Sequence, residues 1–279
     1  MKKIIPFMML LVLSACVIPT QQGQKTPAEI AQRKAWMDEL NKYAIDLRYV
    51  YGKKTGWIDF SHAFPYHTEV KKWTAYNIWQ QFKKEEGNSS PDFWNHFLVR
   101  KICDSRFKDL TSKNYFPITH EQAMGVYGQN FAASREAYIV RKHLPAKIKE
   151  QVAFSIFMDV SYEFEKLQGT FPYAIGIGNS ASSFSTEDLP SNAIGFFAVS
   201  RGGAKDKYGV WKYLKKYGEI VPVAEARKLK KLGFKKDLNH KVQPILYHQG
   251  KKEYLSIFDT PILAEGQYYI NVKHLKQCD

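Results

Sequence analysis

The chain has 279 residues, 44% of them hydrophobic and 15% aromatic, and carries a formal charge of +14. This content excludes a disordered chain and a bundle of membrane helices, and it suits one large globular domain or two small ones. The charge is uneven: between Lys205 and Lys241 twelve Lys/Arg stand against four acids, a field suited to an anionic envelope polymer or lipid headgroups. No zinc-finger, RNP-like or helix-turn-helix signature accompanies it, so nucleic acid is not an expected partner.

The first feature in chain order is a short leader. Lys2 and Lys3 precede an apolar run from Ile4 to Leu13, and Ser14-Ala15 supply small residues before Cys16. The run is far shorter than the ~20 residues of a spanning helix. It reads as a removable leader, either that of a lipoprotein or an ordinary secretory signal in which Cys16 is incidental. Leu13-Ser14-Ala15-Cys16 resembles the lipobox of bacterial lipoproteins, and the resemblance implies that Cys16 is the lipidation site, a fatty-acylated (palmitate-bearing) N-terminus in the membrane. Val17 stands where inner-membrane lipoproteins commonly carry aspartate, so the expected location is the outer membrane, facing the periplasm. The expected organisation is a signal peptide at 1–15, a lipidated tether at 16–26 and a single globular domain at 27–279.

Thr26-Pro27-Ala28-Glu29 forms a capping-box pattern, and Ile30, Met37, Leu40, Ala44 and Leu47 follow at helical spacing, with Gly52 as the expected stop. Gly56-Trp57-Ile58-Asp59-Phe60 reads as extended. Helices are expected over 68–86, from Ser90, over 119–143 behind the Thr119/Gln122 pair, and over 146–168, where Val152, Ile156, Val160, Phe164 and Leu167 mark one face. After a Gly- and Ser-rich stretch, a helix is expected over 186–199 with Ser185 as its N-cap. Runs at 243–248, 254–258 and 268–272 read as strands. The fold class expected is α+β, a mostly helical single domain with a small C-terminal antiparallel sheet. In an oxidising compartment Cys103 and Cys278 are a candidate disulfide, with two unpaired thiols as the alternative.

Two segments carry more polar residues than packing requires. In Gly56-Trp57-Ile58-Asp59-Phe60-Ser61-His62, strand alternation sends Asp59 and His62 to opposite faces, so they act together only if the strand ends or bulges there. In the second segment, 182–192, Ser185 suits a cap, and Glu187 and Asp188 suit the positive end of a helix. Gly56-x-Ile58-Asp59-x-x-His62 with Ser183-Phe184-Ser185-x-Glu187-Asp188-Leu189-x-Ser191-Asn192-x-x-Gly195 resembles a family of bacterial lipoproteins and exported proteins of no established activity. Members carry a His-Glu pair in the preceding long helix; here Glu163 and Glu165 supply acids and the histidine is missing.

The candidate catalytic residues are Asp59, His62, Glu163 and Glu165; Asp59, His62 and one of the two glutamates are expected to converge beside the candidate binding residues Ser183, Ser185, Glu187, Asp188 and Asn192. A histidine among carboxylates serves as a general base or as part of a metal site; the alternative is a satisfied, partly buried histidine. The sequence names no cofactor and no specific metal. His120-Glu121 lacks a second histidine at Met124, and Ser105-x-x-Lys108 lacks companion motifs. The functional expectation is an envelope lipoprotein that binds or hydrolyses an envelope component through a His/carboxylate cleft. The alternative is a non-enzymatic accessory lipoprotein that holds a protein or an anionic glycan.

Overall fold

The computed structural model describes residues 26–60, 62–63, 75–87, 104–107, 113–126, 129–170, 185–233, 245–248, 251–254 and 260–276. They form an α+β domain. Its helices are α1 (Pro27–Leu40), α2 (Ala75–Lys84), α3 (Ala146–Thr170), α4 (Asp188–Ser200), α5 (Lys207–Tyr217) and α6 (Val223–Gly233). The strands are β1 (Tyr49–Gly52), β2 (Gly56–Asp59), β3 (Tyr115–Val126), β4 (Gln129–Arg141), β5 (Ile245–His248), β6 (Lys251–Tyr254) and β7 (Tyr269–Asn271). No described helix is long and apolar enough to cross a membrane. Cys16, Ser61, Cys103, Ser183 and Cys278, with the helix expected from Ser90, lie outside the described residues.

Helix α1 begins at Pro27, where the capping pattern places it, and Ile30 N–H donates to Thr26 O at 3.1 Å. It ends at Leu40 rather than near Gly52: a turn follows at 41–43, and Asp46 and Leu47, both at φ of 53°, then lead the chain into β1. β1 pairs antiparallel with β2 from Tyr49↔Asp59 to Gly52↔Gly56. The three-residue connection closes on Gly56 at φ 64°, a left-handed position natural to glycine.

The largest correction concerns 119–143, expected as a helix. It is part of the β3/β4 hairpin, paired from Tyr115↔Arg141 to Val126↔Gln129 with a bulge between Met124 and Gly125. Tyr115 to Ile118 and His120 on β3 are buried, and Tyr138, Ile139 and Val140, all buried, supply the strand-forming partner. Cross-strand pairing and burial of these β-branched and aromatic residues outweigh the Thr119/Gln122 capping pattern. The C-terminal strands divide as well: β5 and β6 pair with each other, while β7 joins β4 on the larger sheet.

Helix α4 is the centre of the domain. Every residue from Asp188 to Val199 is buried, as expected of a helix packed on all sides. One flank, through Leu189, Ala193, Phe196 and Phe197, packs with α2, α3 and the β3/β4/β7 sheet. The other, through Ile194 and Ala198, packs with Val50, Ile58, Phe60 and Trp211. Gly195 permits the closest approach, since a Cβ there would lie 3.0 Å from the Ala63 carbonyl carbon. The N-terminal turn of α4 is thereby held beside the end of β2.

Candidate functional site

β2 ends at Asp59, and the chain turns immediately: His62 N–H and Ala63 N–H both donate to Asp59 O, at 3.1 and 3.0 Å. The turn satisfies the condition that strand alternation imposed, and brings His62 round to the same side as the Asp59 carboxylate. Asp59 N–H donates to Ser191 Oγ at 2.8 Å, and Ser191 Oγ donates to Glu187 O at 2.5 Å. These two bonds fasten the strand end to the first turn of α4.

The imidazole lies between two acids. His62 Nε2 is 3.4 Å from Asp188 Oδ1, and Nδ1 is 4.0 Å from Glu165 Oε1 on α3. Ligand atoms of Asp59, His62 and Asp188 all lie within 4.8 Å of one another, so these three residues could hold a metal ion. Asp59 and Glu165 are fully buried, Glu187 and Asp188 nearly so, and the His62 side chain keeps 16% exposure. Burial pushes the Glu187 carboxyl up to about 7, with the nearby Asp59 charge adding to the effect. It raises Asp188 well above the usual carboxylate range, and Glu187 and Asp59 raise it further.

Of the sequence candidates, Asp59, His62, Glu165, Glu187 and Asp188 come together. Glu163 does not: it points to the outer side of α3 and pairs with Lys166 at 3.0 Å. Ser185 is not the N-cap. That position falls to Glu187, which makes no side-chain cap, while Ser185 N–H donates to Asp188 Oδ2 at 3.0 Å. Asp188 in the first turn sits in the positive end of the helix, as its charge favours. Asn192 is buried one turn further along, and its Nδ2 has no acceptor among the described residues.

Sequence reading missed Arg48 and Tyr49. Arg48 closes a two-pronged ion pair on Asp59, with Nε 2.9 Å from Oδ1 and Nη2 2.5 Å from Oδ2, and its half-exposed guanidinium marks where the cluster meets solvent. It also lies 4.8 Å over the Tyr49 ring. Burial raises the Tyr49 hydroxyl's pKa, and the charges of Asp59, Glu187 and Asp188 add to this, which places the phenol in the same field. The signal for both residues was the β1/β2 register, since Tyr49 opposes Asp59; no local motif announces it.

No protein-family model matches the chain, and no curated protein and no solved structure matches it either.

Proposed function

We propose that this chain is a lipid-anchored protein of the bacterial outer membrane, facing the periplasm, whose His62 cluster activates water to hydrolyse an envelope component. The observation that carries the catalytic part is the convergence of His62 with Asp188 and Glu165 from three distant stretches of chain. Packing alone does not require it, because buried carboxylates are expensive unless paired or used. In the reaction a water loses a proton to the cluster as its oxygen attacks the substrate's electrophilic centre, and the leaving group takes up a proton. The Leu13-Ser14-Ala15-Cys16 pattern and the resemblance of the two polar motifs to envelope lipoproteins support the location.

Membrane fractionation, fatty-acid labelling and a Cys16→Ser variant test the anchor. Labelling lost with Cys16 is expected, and equal labelling of both forms would refute it; inner-membrane recovery would refute the sorting alone. The hydrolytic part is tested by incubating purified chain with isolated envelopes and measuring released sugars, amino acids, phosphate and acyl groups. Release by wild type that is lost in a folded His62→Ala variant is the expected result.

A second reading, an accessory lipoprotein that holds an anionic partner, is favoured by a different surface. Lys212, Lys215 and Lys216 on α5 surround a depression of about 360 Å³ together with Tyr208 and Glu39. Retention on anionic vesicles or glycans with no hydrolysis of any envelope fraction would select it.

A further inference from the structure

We propose that Asp59, His62 and Asp188 hold a divalent transition-metal ion, zinc or manganese, in a site of two carboxylates and one imidazole. The proposal rests on reading this cluster as a functional site; an ion held there would lower the pKa of a bound water, whose proton passes to a carboxylate of the cluster.

The spacing is that of a ligand shell. Two ligand atoms ~2.1 Å from a tetrahedral ion stand roughly 3.4 Å apart, and His62 Nε2 lies 3.4 Å from Asp188 Oδ1. The Asp59 atom completes a triangle whose members are all within 4.8 Å. Bonding geometry would require this triangle to contract towards the 3.4 Å of the His62–Asp188 pair. Asp59 remains able to bind although Arg48 occupies both of its oxygens, because each carboxylate oxygen has a second lone pair.

Three further observations point to an occupant. The His62 nitrogen away from Asp188 faces Glu165, which is fully buried. Metal-bound histidines commonly have a carboxylate on the far nitrogen, which fixes the ring and raises its basicity. Four carboxylates, Asp59, Glu165, Glu187 and Asp188, are almost completely buried around one histidine; Arg48 offsets the Asp59 charge, and a second cation would stabilise the ionised forms of the others. Finally, Asn192 follows Asp188 by one helical turn on the same face of α4, and its buried Nδ2 has no acceptor among the described residues. A water or substrate oxygen on the ion would supply one.

The donor set selects the ion class. An imidazole disfavours calcium and magnesium, and two hard carboxylates without thiolate disfavour copper(I). Three protein ligands leave a position for water, the arrangement found in catalytic rather than structural zinc sites.

The test uses the full chain, stripped with chelator and titrated with zinc or manganese, each metal by itself, read by calorimetry, bound-metal analysis and melting temperature. About one equivalent should bind and raise the melting temperature. His62→Ala and Asp188→Asn should each weaken binding by at least about tenfold, whereas His143→Ala, at an exposed histidine paired with Glu85 and absent from the cluster, should bind as wild type does. Asp188→Asn removes a buried charge while keeping the side-chain shape, so it reports on the site even if His62→Ala fails to fold. Binding of neither zinc nor manganese, or undiminished binding in folded His62→Ala and Asp188→Asn, would overturn the proposal. Envelope hydrolysis that persists in chelator would overturn the ion and leave the hydrolytic reading standing. One zinc bound through these residues without hydrolysis would uphold the ion and remove the hydrolytic reading.

Discussion

The backbone N–H of Lys276 lies 3.4 Å from Asp104 Oδ2, which joins the middle of the chain to its end. Arg106 reinforces the junction by donating to His274 O at 3.3 Å while it pairs with the same Asp104 carboxylate at 2.6 Å. Asp104 and Lys276 stand next to Cys103 and two residues before Cys278 in sequence. Protein recovered from an oxidising compartment is therefore expected to contain a Cys103–Cys278 bridge. Peptide mapping without reductant checks this, and reduction should lower the unfolding free energy by ~2–4 kcal/mol. Two freely alkylated thiols in native protein would refute it.

Arg48→Ala should destabilise the domain, because it leaves Asp59 fully buried among other acids without its guanidinium. The loss expected is ~1–3 kcal/mol, the desolvation cost of an unsatisfied buried group, with the half-exposed Arg48 keeping it below the extreme. Adding Asp59→Asn to the Arg48→Ala chain should recover part of the loss. Urea unfolding of the three chains gives the answer, and an additive double variant would sink the idea.

His120 imposes a pH dependence. It is 2% exposed beside the Phe157 ring, and burial lowers its pKa from 6.5 to about 3. Between those values the unfolded chain binds a proton that the folded chain refuses, so stability falls as pH drops from 6.5 towards 3. The contribution is at most ~1.4 kcal/mol per pH unit. His120→Leu should flatten the slope relative to wild type, measured as melting temperature from pH 7 to 4; parallel curves would refute the assignment.

Gly195→Ala should cost ~1–3 kcal/mol through overpacking. The added methyl meets three backbone atoms of Ala63 at 3.0–3.2 Å. Those atoms belong to the turn that carries His62 and cannot rotate away as a side chain could. A melting temperature equal to wild type would show that α4 shifts freely.

Much of the helical framework was legible in the sequence because its signals are local. Thr26 and Pro27 marked the start of α1, and the Val152, Ile156, Val160 and Phe164 stripe marked α3, where all four are buried. The site was legible in pieces. Asp59 and His62 were suspect as neighbours, yet only the turn at Phe60 put them on one side. Glu163 and Glu165 were equivalent in sequence, and the rotation of α3 separated them. The hairpin of β3 and β4 was not legible because a capping pattern at Thr119 overlapped the strand period, and cross-strand burial decided between them. Arg48 entered the site through strand register, which depends on pairing across eleven residues.

The bond from Asp59 N–H to Ser191 Oγ spans 132 positions of the chain, and this gives the site a timetable. A chain that emerges N-terminus first, from a ribosome or through a translocation pore, presents His62 long before Asp188, Ser191 and Asn192 exist outside. Until α4 arrives, the strand end lacks its anchor and the imidazole its nearest carboxylate. The cluster is therefore incomplete in every nascent or truncated form that stops short of α4, and it is assembled only once the central helix has docked.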